Sequence, residues 1–441
     1  MNIIENFIMI VAGTRPEAIK LAPVLWWLDK LGVEYTFIWS GQHYDYEMSS
    51  IFFEQLNLPA PDEYLNVGSQ AQDLASQVAI LIQKIVDAIK RWKPKFVYAL
   101  GDTNTTLASA LASVYTSEPF VHDEAGMRSY DTSMIEEMNR RICDSVANFR
   151  LAPTKIAFLN LLNEGALPDD IRLVGSTIVD VLLYITSSEN IIKNTLLTNL
   201  NLEPLQYTLV TIHRRENLTE SQLRKIVDVL TTVANFTPDH TFVMPVHPHT
   251  QKNLNAYGLY KLLEKYSNIK LIKPLGYIEF ITLLKNSKVV ITDSGGVQEE
   301  AFILGKRILT LRKTTEWIET VLLGYNKLLD IDNAQSVISE VVNAINSPVL
   351  KPPELSTSPI GDGNAGKRVA TILQRLAETK LERGISPSLI EKHSDKIFLC
   401  LQKNRKLLQE DNTFRRLTRI PLAPDPELAE LVKVDWSQIN E

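Results

Sequence analysis

Cysteine is nearly absent. The two in 441 residues, Cys143 and Cys400, stand far apart and outside any CxxC or Cys/His cluster, so the chain has no disulfide framework and no thiolate zinc site. A reducing compartment, and hence the cytoplasm, is expected. An excess of basic charge is also missing. The 46 Lys and Arg against 52 Asp and Glu leave a formal net charge of −6, which argues against nucleic acid as the main partner. No apolar run reaches the roughly eighteen residues that cross a bilayer, so no membrane span is expected. The apolar run 7–12 has no basic segment before it and passes directly into Gly13, Thr14, Arg15 and Pro16, as a first strand does and a leader peptide does not.

What is present is an alternation. Short β-branched and apolar runs at 7–12, 35–39, 96–100, 119–122 and 149–152 are separated by longer helical patterns. A second series follows Gly175, with helices expected over 177–186 and 188–202 and strands over 207–212, 241–246, 269–272, 289–292 and 307–311. Strands alternating with helices predict βαβ units and parallel sheets. The fold class read from this is α/β: two Rossmann-like doubly wound domains, 1–175 and 176–358, with a cleft between them. A helix at 361–382 is read as returning to the first domain. The extension 383–441 carries helical periodicity over 388–409 and ends in a proline-containing acidic segment expected to be poorly ordered.

Several polar strings lie at or just beyond expected strand ends, where open α/β sheets bind ligands. Gly13 to Lys20 opens the first helix, placing backbone N–H groups, Arg15 and Lys20 at a positive helix end that favours an anion. Asp293, Ser294, Gly295 and Gly296 form the equivalent feature of the second half, with Glu300 further along the helix. Paired glycines let a phosphate approach the backbone, Ser294 offers a hydroxyl, and the carboxylate suits ribose hydroxyls, so the ligand read here is a nucleotide diphosphate. Asp102, Glu124 and Glu136 are carboxylates at or after such ends, with Arg140 beside them. His213, His247 and His249 follow two later strands without the companion ligands of a metal site, and none is assigned.

Taken in order, GTRPEAIKLAP, SGQH, GDTNTTLASA, HDEAGMRS with EEMNR, HRREN, PVHPHT and TDSGGVQEEA resemble the non-hydrolysing UDP-N-acetylglucosamine 2-epimerases over roughly residues 7–380. The resemblance implies a twin-Rossmann fold and inversion at C2 of a UDP-2-acetamido sugar, needing neither NAD nor metal. UDP departs by anti elimination to a 2-acetamidoglucal and adds back. It implies Asp102, Glu124 and Glu136 as acid/base or charge-supporting groups, with His213 beside diphosphate and sugar. Arg15 and Lys20 are implied as first-domain substrate contacts, and Arg140 as a positioning group. Ser294, Gly295, Gly296 and Glu300 are implied at phosphate and ribose, Phe280 at the uracil, and Gln42 and His43 in a loop near a regulatory second UDP-sugar. It further implies a homodimer.

The chain departs from the family pattern in places. Asp123 replaces the usual Val, Ile135 replaces Pro, Leu275 stands where many members are polar, and Trp317 takes the place of an arginine, a lost cation expected to cost substrate binding unless Trp317 stacks on a sugar instead. A UDP-sugar glycosyltransferase built on the same fold is the alternative reading. It predicts a stable C2 and UDP release that depends on an acceptor.

Overall fold

The computed structural model describes residues 7–41, 53–187, 195–379, 424 and 426–439. The chain divides into two compact units, Met1–Val181 with Leu355–Ile420 and Glu430–Glu441, and Leu182–Glu354 with Pro421–Ala429.

The first unit is built on a seven-stranded sheet. Its strands are β1 (Ile8–Ala12), β2 (Tyr35–Trp39), β3 (Glu63–Tyr64), β4 (Phe96–Leu100), β5 (Phe120–Asp123), β6 (Phe149–Ala152) and β7 (Ile171–Leu173), in the order β3-β2-β1-β4-β5-β6-β7. Each pairing is parallel, with Ile8 opposite both Tyr35 and Phe96. Strands β1 and β4 are buried at every position, which is why they read as unbroken apolar runs rather than alternating ones.

The second unit repeats the design with six parallel strands. They are β8 (Tyr207–Thr211), β9 (Thr241–Pro245), β10 (Ile269–Ile272), β11 (Val289–Thr292), β12 (Arg307–Thr310) and β13 (Asn326–Leu328), ordered β10-β9-β8-β11-β12-β13. In both sheets the order reverses beside the first strand, between β1 and β4 and between β8 and β11. Such switch points are where doubly wound folds bind ligands.

The helix Ala365–Glu378 lies on the helix Arg15–Leu31 of the first unit. A Cβ on Gly366 would stand 2.5 Å from the Cβ of Pro23, so only glycine permits this approach. Asp180 caps the helix from outside, accepting the N–H groups of Ala365 and Gly366 at 3.2 and 2.9 Å. The expected helix over 388–409 lies outside the described residues. The expectation of a poorly ordered end needs correction for 426–439. Val432 and Trp436 are buried there, the Trp436 indole N–H donates to the Ser358 carbonyl at 2.7 Å, and the Arg368 guanidinium lies 4.8 Å from its ring centroid. An acidic composition did not reveal that one aromatic anchor holds the segment.

Candidate functional site

In the first unit the switch point carries two pairs of charges. Glu124 follows β5 with φ +58, the left-handed region that costs a residue with a Cβ about 1–2 kcal/mol. Its Oε1 is ion-paired to Lys20 Nζ of the helix Arg15–Leu31, and its Oε2 would lie 3.6 Å from a Cβ placed on Gly101. Asp102, just past β4, is held by Arg140, whose Nη2 donates to Oδ2 at 2.5 Å, and its carbonyl accepts from Asn139 at 2.9 Å. Arg140 is buried and also reaches Glu137 at 3.2 Å. Asp102, Glu124, Lys20 and Arg140 are therefore gathered around the ends of β4 and β5. Glu136 is half-buried in the first turn of the helix Ile135–Val146 and has no hydrogen-bond or ion-pair partner among the described residues.

The expected anion site at the start of the first helix is corrected in part. The N–H groups of Gly13 and Thr14 both donate to Glu17 Oε2 at 2.8 Å, as does the Thr14 hydroxyl at 3.0 Å. Glu17 Oε1 takes the Thr103 and Thr106 hydroxyls at 2.5 and 3.1 Å. An internal carboxylate thus occupies those donors. Thr14 to Glu17 has the spacing of a capping box, a signal present in the sequence. Burial raises the pKa of Glu17 although the Thr103 and Thr14 hydroxyls and the N–H groups of Gly13 and Thr14 act to lower it. Arg15, at the first position of the helix, is half-buried.

Behind these groups lies a buried network that sequence reasoning missed. His122 Nδ1 meets Asp144 Oδ1 at 2.6 Å and Nε2 meets the Gly101 carbonyl at 2.8 Å. Both ring nitrogens face acceptors, so both carry hydrogens. Burial opposes the resulting charge, but Asp144 and the carbonyl outweigh it and the pKa of His122 is raised. Arg128 joins Asp144 at 2.7 Å and Glu164 at 2.5 Å. Five residues, from Gly101 to Glu164, make this cluster, and no local spacing announces it.

In the second unit Asp293, fully buried past β11, accepts the backbone N–H groups of His213 at 3.1 Å and Arg214 at 3.0 Å and the Asn217 side-chain amide at 3.0 Å. His213 Nδ1 lies 3.3 Å from Asp293 Oδ1, and the rest of its ring is open, the side chain being 43% exposed. Ser294 precedes the helix Gly295–Ile303 and its hydroxyl makes no capping bond, which leaves it for another acceptor or donor. The two glycines have different reasons. A Cβ on Gly295 would collide with the Glu316 carboxylate, whereas a Cβ on Gly296 would meet open space. Only Gly296 fits the expectation of a backbone left bare for a ligand. Glu300 is buried and accepts the Tyr277 hydroxyl at 2.9 Å. Phe280, one turn beyond Tyr277, is half-buried.

Trp317 is 3% exposed, so its ring packs inside the unit rather than lying open to stack on a sugar. Its backbone N–H donates to the Thr315 hydroxyl, which donates in turn to Gln298. Leu275 is half-buried. Gln42 and His43 lie outside the described residues. Among the described residues no three His, Cys, Asp or Glu side chains are grouped as a metal site.

The model of the family described as UDP-N-acetylglucosamine 2-epimerase matches residues 28–374. A UDP-N-acetylglucosamine 2-epimerase of Methanocaldococcus jannaschii is 38% identical over 369 residues, covering 82% of this chain and 98% of its own. A UDP-2,3-diacetamido-2,3-dideoxy-D-glucuronate 2-epimerase of Pseudomonas aeruginosa is 35% identical over 377 residues, covering 84% and 99%. The crystal structure of the M. jannaschii UDP-GlcNAc 2-epimerase with UDP-GlcNAc and UDP is similar, with a TM-score of 0.76 at 38% identity over 84% of this chain and 99% of that one.

Proposed function

This chain belongs to the UDP-N-acetylglucosamine 2-epimerase family, and we infer from that membership that it is an isomerase converting UDP-N-acetylglucosamine to its C2 epimer, UDP-N-acetylmannosamine. The observation that carries the reading, within a family match, is the pairing of Glu124 with Lys20 and of Asp102 with Arg140 at one switch point. Inverting C2 requires removal of an unactivated proton and stabilisation of a departing diphosphate. Asp102, Glu124 and Glu136 are the acid/base candidates, Glu124 standing against Lys20 and Asp102 against Arg140. Arg15, Lys20 and His213 are assigned to the charge of diphosphate and sugar. Ser294, Gly295, Gly296, Glu300 and Phe280 are assigned to the nucleotide. The chemistry proposed is anti elimination of UDP and re-addition through a 2-acetamidoglucal, using these side chains alone.

Incubation with UDP-N-acetylglucosamine in D2O tests the reading. Deuterium at C2 and a UDP-N-acetylmannosamine product are expected. A protonated C2 after prolonged incubation, or UDP release only with an acceptor sugar, would overturn it. Glu124→Gln or Glu136→Gln should lower turnover about 10²-fold and spare UDP affinity. Because the Pseudomonas relative acts on a diacetamido uronate by name, that UDP-sugar belongs beside UDP-N-acetylglucosamine in the assay.

A homodimer is part of the proposal. Ile135, Met138 and Ile142 are exposed at helical spacing on one helix, and Val114 and Tyr115 are exposed on the helix Asn104–Thr116 packed against it. An apolar stripe of this kind suits a second copy. Light scattering should give twice the 49.8 kDa chain mass, and Met138→Lys should return it to the monomer. A cytoplasmic location is also proposed. It is supported by the cysteine usage, and no helix among the described residues is long and apolar enough to cross a membrane.

A further inference from the structure

Asp123 has no part in the reading above, yet it is bonded directly to the peptide of Glu124. It ends β5, 4% exposed, with Oδ2 accepting the Tyr98 hydroxyl at 2.6 Å and Oδ1 accepting the Glu124 backbone N–H at 2.8 Å. Tyr98 is wholly buried in β4 and lies opposite Val121 of β5, so the sheet itself fixes the ring that anchors the carboxylate. Glu124 is in the left-handed region at φ +58, where a side chain is unfavourable unless its surroundings impose the turn. In that conformation its carboxylate meets Lys20 and stands over Gly101, next to Asp102.

A second carboxylate beside Glu124 is electrostatically costly, and burial raises the pKa of Asp123 to about 6, against the two hydrogen bonds it accepts. A packing role alone would be filled better by an apolar side chain, which could not accept the Glu124 N–H. We propose that Asp123, anchored by Tyr98, is a positioning residue that holds Glu124 in its left-handed turn and so aims the Glu124 carboxylate. The inference rests on the reading of Glu124 as an acid/base group of the epimerase.

The test uses the full-length protein and the variants Asp123→Ala, Asp123→Asn and Tyr98→Phe. Asp123→Asn keeps an oxygen for the Glu124 N–H and an amide that can donate to the Tyr98 oxygen. It should hold kcat within about fivefold, whereas Asp123→Ala should lower kcat and the rate of C2 deuterium entry together by about 10²-fold. Tyr98→Phe should fall between them. KM and the UDP dissociation constant should stay within about twofold throughout, because Asp123 acts only through Glu124. An unchanged kcat in Asp123→Ala, or equal losses in the Asn and Ala variants, overturns the proposal while leaving the epimerase reading intact. A wild type without C2 exchange overturns that reading instead. A crystal structure of Asp123→Ala decides the positioning role in either case: Glu124 should leave the left-handed region, and if it stays there the proposal is wrong.

Discussion

Asp293→Ala should weaken the second unit and displace His213 at once. The carboxylate receives three N–H groups, from His213, Arg214 and Asn217, at 3.0–3.1 Å. Hydrogen bonds to a charged partner contribute roughly 1.5–3 kcal/mol each, a gross loss of about 4.5–9 kcal/mol. Two effects reduce it. Water reaches the His213 loop, whose side chain is 43% exposed, and removing the buried carboxylate also removes its desolvation penalty. If these return about half, about 3 kcal/mol remains, which for a unit of this size is a fall in melting temperature of about 6–12 °C. Calorimetry would record it, and isothermal titration with UDP would report the accompanying loss of affinity. Asp293→Asn keeps one acceptor oxygen but turns an amide N–H toward the donors, so it should fall between wild type and Ala. A fall of less than about 2 °C in the Ala variant, with UDP affinity unaltered, would refute the assignment of Asp293 as the tie between the ends of β8 and β11.

Two further perturbations test neighbouring claims. Arg140→Lys keeps a charge but cannot reach Asp102 and Glu137 together as the guanidinium does, so kcat for C2 exchange should fall about tenfold with UDP affinity unchanged; full activity would mean that Asn139 alone positions Asp102. Asp180 supplies the pH test. Burial raises its pKa to about 7, against the N–H groups of Gly366 and Ala365, while the unfolded chain releases the same proton near 3.8. The folded state therefore binds the extra proton between pH 4 and 7, and its stability falls as pH rises through that window. The melting temperature of wild type relative to Asp180→Asn should decline from about pH 4 to 7 and level off above it, and a difference that stays flat across that range would contradict the assignment.

The sheet cores were legible because buried parallel strands leave apolar, β-branched runs. The expected segments 35–39, 96–100, 149–152, 269–272 and 289–292 coincide with β2, β4, β6, β10 and β11. The strands that escaped notice are β3, β7 and β13, two or three residues each and all at sheet edges. Glu63–Tyr64 and Asn326–Leu328 carry too little apolar signal, because an edge strand is paired on one side only. Of the helix expected over 188–202, the described residues contain Thr195–Asn199. Asp102, Glu124 and Arg140 were legible as candidates from their motifs, and the structure sets them in charged pairs beside the ends of β4 and β5. What the motifs could not give was the partner of each: Lys20 with Glu124 is a contact across 104 positions, and Arg140 with Asp102 one across 38.

The two units solve the same local problem with the same device, and this explains why the sequence misled about the first helix. A doubly wound sheet splits at its switch point, and the loops leaving the two central strands present N–H groups with no strand partner. Left bare, those groups attract an anion; filled from within, they fix the loop. In the first unit Glu17 takes the N–H groups after β1 and the hydroxyls after β4. In the second unit Asp293, standing after β11, takes the N–H groups after β8. Each carboxylate ties the two diverging strands together, and each is buried, so its cost is offset only while every donor stays in place. Arg15 and Lys20 stand next to the tie of the first unit, and the His213 ring, 43% exposed, next to that of the second. Glycine-rich and basic strings at a switch point therefore mark where such donors collect, and the donors open to a ligand are those that the unit's own buried acid has not claimed.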